Sequence, residues 1–175
     1  VNLPNINTLF KINKIEIWVT NTRNATEDVR DIVALADLGE PGRVNPTPSP
    51  VNDPPSVFRF PDIFGSQGLP DNDANPLYRA LINNPNARDL DNAVATLQGP
   101  QFGLNQITDF EKVRGRLLQP SEYSIHPELG YISLNVNMQP EDVLGVAYEY
   151  TYNGQVYQVG EFTNDVPISP DTLNV

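Results

Sequence analysis

The chain has 175 residues, the size of one domain or at most two small ones. It has 22 acidic against 11 basic side chains and a formal net charge of -11, which argues against nucleic-acid binding because phosphate contacts need a basic surface. No long apolar run occurs, so no transmembrane helix or signal-peptide core is expected, and the absence of cysteine excludes disulfides, thiolate metal sites and a cysteine nucleophile.

Val1 opens the chain and Met138 is its one methionine, so the sequence reads as an excised or processed piece of something longer. The 17 prolines, 11 glycines and abundant asparagines suit turns and strands better than helices. Residues 11–20 predict a strand with Ile15, Ile17 and Val19 on one face and Lys14, Glu16, Trp18 and Thr20 on the other. Asp31 to Leu38 carries a short apolar run that Gly39 and Pro41 end. Its length and weak helical periodicity favour a strand over a short helix.

Residues 40–76 read as a long Pro-rich excursion, because proline supplies no amide donor and no ladder forms through it. One apolar patch, Val57, Phe58, Phe60, Ile63 and Phe64, is expected to pin it. Two short helices are expected over 76–98. Asn75 would cap the first, with Leu77, Ala80 and Leu81 as its stripe, and Asn83-Asn84-Pro85 would stop it. Asp89 or Asp91 would cap the second, with Leu90, Val94 and Leu97 on one face and Gly99-Pro100 at its end.

The last third is the clearest. Ile132, Leu134, Val136 and Met138 alternate with polar residues, and Glu122 to Ile125 is expected to pair back across His126 to Gly130. Asn153-Gly154 lies between two β-rich runs. Both residues accept positive φ, which predicts a two-residue hairpin. That turn sets Tyr152 opposite Gln155, Tyr150 opposite Tyr157 and Tyr148 opposite Val159. Tyr148, Tyr150, Tyr152 and Tyr157 then share one face. The expected fold is mainly β, an antiparallel, jelly-roll-like β-sandwich forming one module over 1–175. The 40–76 excursion and the 76–98 helices would be an insertion in it.

The chemistry-bearing residues are sparse. Asp71-Asn72-Asp73-Ala74-Asn75 resembles the opening of a calcium loop, but Pro76 replaces the needed glycine and Ile82 the needed glutamate, so a turn with a helix cap fits better. His126, the one histidine, sits in a Pro-containing turn with no nucleophile motif near it, and a zinc site needs more ligands than it supplies. Glu122, Glu128, Glu149 and Glu161 are candidates for a glycosidase carboxylate pair, but an acidic chain carries many such groups on its surface. Gly65-Ser66-Gln67-Gly68 lacks the Lys-Ser/Thr of a phosphate loop. Asn24-Ala25-Thr26 matches an N-glycosylation tripeptide, and Asp171-Thr172-Leu173 matches a loose O-glycosylation pattern. No catalytic set and no cofactor are therefore expected. The tyrosine face, Tyr148, Tyr150, Tyr152 and Tyr157, reads first as sheet core and second as a sugar-stacking platform of a carbohydrate-binding or adhesin sandwich.

Four blocks carry a family resemblance: Leu9 to Asn21, Asp31 to Glu40, Leu129 to Asn135 and Val143 to Phe162. Together they resemble a segment of the SprA/Sov family of Bacteroidetes, very large cell-surface proteins required for gliding motility and type IX secretion. The resemblance implies a parent that forms a giant outer-membrane β-barrel, the protein-conducting translocon. It also implies partners: the rest of the parent barrel, a PorV-type shuttle and a plug protein. This chain would be a soluble, non-catalytic module on the periplasmic or cell-surface side, not itself inserted in the membrane.

Overall fold

The computed structural model describes residues 9–22, 25–36, 38–40, 68–127, 129–166 and 173–175. The apolar patch at 57–64, the glycine-rich 65–67, Asn24, Glu128 and Asp171-Thr172 lie outside them.

The fold is mainly β and sandwich-like. Strands β1 (Phe10–Thr20) and β2 (Val29–Leu35) come first. Three helices follow: α1 (Leu77–Ile82), α2 (Pro85–Arg88) and α3 (Ala93–Gln98). Then come β3 (Phe110–Leu117), β4 (Tyr123–His126), β5 (Tyr131–Leu134), β6 (Leu144–Tyr152), β7 (Gln155–Val159) and β8 (Leu173–Asn174). Six strands form one sheet in the order β7-β6-β1-β3-β2-β8, and β4-β5 form a separate hairpin.

The hairpin at Asn153-Gly154 forms as the sequence predicts. Both residues have positive φ, 50° and 81°, and Tyr152, Tyr150 and Tyr148 oppose Gln155, Tyr157 and Val159. The strand expected at 31–38 is β2, and β4 pairs with β5 across the expected turn. Val136 and Met138 continue the alternation of Ile132 and Leu134 past the end of β5 and pack on the same cluster.

The six-stranded sheet curls until its ends meet. β8 runs parallel to β2, with Ile32 opposite Leu173, and the Glu161 amide after β7 donates to the Asn174 carbonyl at 2.8 Å. The inner face packs Trp18, Ile32, Ala147, Phe162, Leu173 and Val175. Glycine is needed where the walls approach. A methyl group on Gly145 would lie 2.6 Å from Val175 Cγ2 and 3.4 Å from Ile32 Cδ1. Gly145→Val is therefore expected to overpack this core and cost about 1–3 kcal/mol in urea unfolding.

Two clusters cover the outer face. The hairpin packs Tyr123, Ile132 and Leu134 over Ile17, Val19 and Val146. The helices pack Leu77, Leu81, Ala87 and Leu97 over Val33 and Phe110.

Among the described residues of 76–98, three short α-helices form where the sequence reading expected two. Asn83 closes α1, and the next residue, Asn84, accepts the amides of Asn86 and Ala87 and so opens α2. The N-cap of α1 is Pro76 rather than the expected Asn75, whose Oδ1 accepts the Leu77 amide at 2.8 Å from one position earlier. Asp89 Oδ1 accepts the amides of Asp91 and Asn92 at the turn before α3.

Candidate functional site

The tyrosine face is the first candidate, and the structure brings all four residues into one aromatic array. Tyr150 stacks on Tyr157 with centroids 5.2 Å apart, and on Tyr148 at 6.0 Å. Phe10 joins from β1, stacked on Tyr152 at 4.4 Å. Phe10 was not legible in the sequence. Simple alternation from Ile15, Ile17 and Val19 sends it to the opposite face, but a β-bulge between Ile12 and Lys14 shifts the parity and sets Phe10 opposite Tyr152.

Tyr150 is buried at 4% exposure, and its hydroxyl donates to the Pro70 carbonyl at 2.7 Å. Tyr148, Tyr152 and Tyr157 are half-buried, and the Tyr157 hydroxyl donates to Gln155 Oε1. Burial, with the Glu40 charge beside it, pushes the Tyr148 phenol up to about 12. Burial also raises Tyr150, helped by Tyr148 and Asp71. Tyr78 rises to about 12 through burial and then the Glu161 charge. A phenol whose folded pKa is raised stabilises the fold below its unfolded pKa and loses that contribution as pH rises toward the folded one. Stability is therefore expected to fall between pH 10 and about 12, together with a late, cooperative phenolate absorbance step. Ionisation of all seven tyrosines near the ordinary value, with no loss of fold, would contradict the packing.

The second candidate is a buried polar node that sequence reasoning did not separate from the other carboxylates. Glu161, 2% exposed, accepts from Arg88 Nη2 of α2. Its other oxygen accepts from Asn174 N at 3.0 Å and Asn174 Nδ2 at 3.1 Å, and the Tyr78 hydroxyl of α1 also bonds to it. The node ties helices, β8 and the end of β7 together. Arg88 Nη2, both Asn174 nitrogens and the Tyr78 hydroxyl converge on this one carboxylate.

The other expected groups serve similar ends. Glu122 is gripped by Arg116 at 2.7 and 3.1 Å and by the Gln119 amide. Glu149 accepts from Asn13 Nδ2 at 3.0 Å. Asn72 exchanges two hydrogen bonds with the Gly160 backbone, at 2.8 and 3.1 Å, and Asp73 pairs with Arg79. Asn75 Nδ2 donates to the carbonyls of Leu38 and Glu40. The 71–75 segment thus stitches the β7 edge to the helices. His126 stacks on Tyr131 at 4.4 Å at the hairpin tip.

Among the described residues, clefts open at two places relevant to the site. One, of about 390 Å³, lies where β2 ends and β3 and β6 begin, beside Ala34, Leu144 and Val175. Ile107 lines it, 82% exposed at φ 80°, a strained backbone for a β-branched residue. The other, of about 400 Å³, runs along Phe10 to Ile15 and is closed by Ile125 and Pro127.

No protein-family model matches the chain, and no curated protein matches it. Among the described residues no helix is long and apolar enough to cross a membrane, which leaves strand-based crossing unaddressed.

Proposed function

We propose that this chain is a non-catalytic structural and interaction module of a very large outer-membrane protein needed for type IX secretion and gliding motility. The observation that carries the reading is the SprA/Sov resemblance over the four sequence blocks. Those blocks overlap β1, β2, β5 and the β6-β7 hairpin. A resemblance that falls on several paired strands is what a shared module predicts. The commitment of Glu122, Glu149 and Glu161 to structural bonds favours the non-catalytic part of the reading.

In this reading the module meets the rest of the parent barrel on the periplasmic or cell-surface side. PorV-type shuttle and plug proteins are further candidate partners. Deleting residues 1–175 from the parent is expected to stop cargo secretion and colony spreading. Normal secretion and motility in that strain would sink the proposal.

One observation favours a second reading, a glycan-binding sandwich: Phe10 remains 43% exposed while stacked on Tyr152, which leaves part of an aromatic surface at the rim. A blank glycan array with the folded domain would remove it.

A further inference from the structure

Asn153-Gly154 is the one Asn-Gly pair in a chain rich in asparagine. An asparagine loses its side-chain amide when the next backbone nitrogen attacks Cγ and closes a succinimide ring. Glycine in the next position obstructs that attack least, because it has no Cβ. Folded structure blocks the route by removing the attacking N–H, by tying it into a hydrogen bond, or by fixing the asparagine side chain. Other asparagines of this chain show each restraint. Proline follows Asn75 and Asn84 and offers no N–H. The amide after Asn174, that of Val175, donates to the Val33 carbonyl. Asn13 is held by Glu149 and Thr151, and Asn72 by Gly160.

Asn153 has none of these restraints. It is exposed, as is Gly154, and a Cβ added to Gly154 would meet nothing within 4 Å. Among the described residues, no backbone acceptor takes the Gly154 amide. Positive φ at both residues, 50° and 81°, makes the two-residue loop a type I′ turn, closed by the pair Tyr152 and Gln155. The other favoured hairpin turn, type II′, keeps φ positive at the first central residue and turns its ψ to about −120°. Rotating the 153–154 peptide plane converts one turn into the other, and glycine accommodates the new φ. At that ψ the Gly154 nitrogen eclipses Asn153 Cβ, the arrangement a succinimide ring requires. Both turns match the twist of the flanking strands, so the strands stay paired.

We infer that Asn153 is a modification site that reacts spontaneously in the folded chain, without opening of the hairpin. The Gly154 nitrogen gives its proton to a solvent base and bonds to Asn153 Cγ. The Cγ–Nδ2 bond breaks, and ammonia leaves with a proton from water. Water then opens the ring. Addition at Cγ gives aspartate in a normal chain. Addition at the Asn153 carbonyl carbon leaves Gly154 linked through Cγ, an isoaspartate. Isoaspartate routes the main chain through Cβ and lengthens the loop by one backbone atom, and loop length sets hairpin register. The pairs beside the turn are Tyr152–Gln155 and Tyr150–Tyr157, so the change reaches the tyrosine array. The inference rests on the turn and does not require the secretion reading.

The test incubates the intact chain in mildly alkaline buffer and follows the Asn153 peptide by mass and by isoaspartate-specific methylation. The folded chain is expected to react within about tenfold of the rate of the urea-unfolded chain, because the peptide rotation breaks no ladder hydrogen bond. Urea well below the unfolding transition should leave the rate unchanged. Asn153→Gly keeps two residues that accept positive φ and should abolish the reaction. In the isoaspartyl product, separated by ion exchange, the β7 amides should exchange faster than in the unreacted chain. A folded-state rate lower than the unfolded one by more than that margin would overturn the inference. So would a rate that climbs with urea in step with global unfolding, since the hairpin would then have to open first. Isoaspartyl product with unchanged β7 protection would overturn the link to the tyrosine array.

Discussion

Replacing Glu161 by alanine is expected to cost about 3–5 kcal/mol of folding free energy, the range for breaking a buried ion pair from one side. Glu161 is 2% exposed, and the Arg88 side chain above it is 16% exposed. Removing the carboxylate takes a close counter-charge from a mostly buried guanidinium and leaves Asn174 N, Asn174 Nδ2 and the Tyr78 hydroxyl without their shared acceptor. The loss also acts on topology, because the Glu161–Asn174 contact is where the curled sheet closes. A double change, Glu161→Leu with Arg88→Met, should recover much of the loss, since an apolar pair of similar volume leaves no buried charge without its carboxylate. Urea unfolding of the three proteins measures this. A single-variant cost within about 0.5 kcal/mol of zero would mean that the node is ornamental.

Trp18→Ala is expected to cost about 3–5 kcal/mol, as large aromatic truncations do in a packed core. The ring is 1% exposed on the inner face, among Ile32, Ala147 and Phe162. Its indole Nε1 has no hydrogen-bond partner among the described residues, so the ring contributes by packing alone. Trp18→Phe should therefore be much milder, because it keeps most of the apolar contact and removes the unpaired donor. Thermal unfolding followed by far-ultraviolet circular dichroism separates the two variants without relying on the lost fluorophore. Equal losses for both would contradict packing as the cause.

What could be read in the sequence follows from how local each signal is. The β6-β7 register was legible because two residues that tolerate positive φ, Asn153 and Gly154, fix it unaided. β1 was legible from alternation only as far as the bulge, and past Asn13 the parity that brings Phe10 to the tyrosines depends on pairing with β6. β8 was not legible: two residues carry no period, and they become a strand only because β2 lies alongside them. α2 was read as a stop because Asn83-Asn84-Pro85 ends one helix at Asn83 and begins the next at Asn84. Glu161 looked like any other carboxylate in an acidic chain until the fold placed Arg88, from 73 positions earlier, against it. The aromatic face was read correctly as a set, but the sequence could not show that Tyr150 points its hydroxyl at the Pro70 backbone.

The most direct test of the central claim, that this chain is a module of a very large outer-membrane protein, is an immunoblot of fractionated envelopes with an antibody raised against these 175 residues. A very large band in the outer-membrane fraction is the expected result. A small band in the soluble or secreted fraction would show that the chain is a protein in its own right, and would contradict the account.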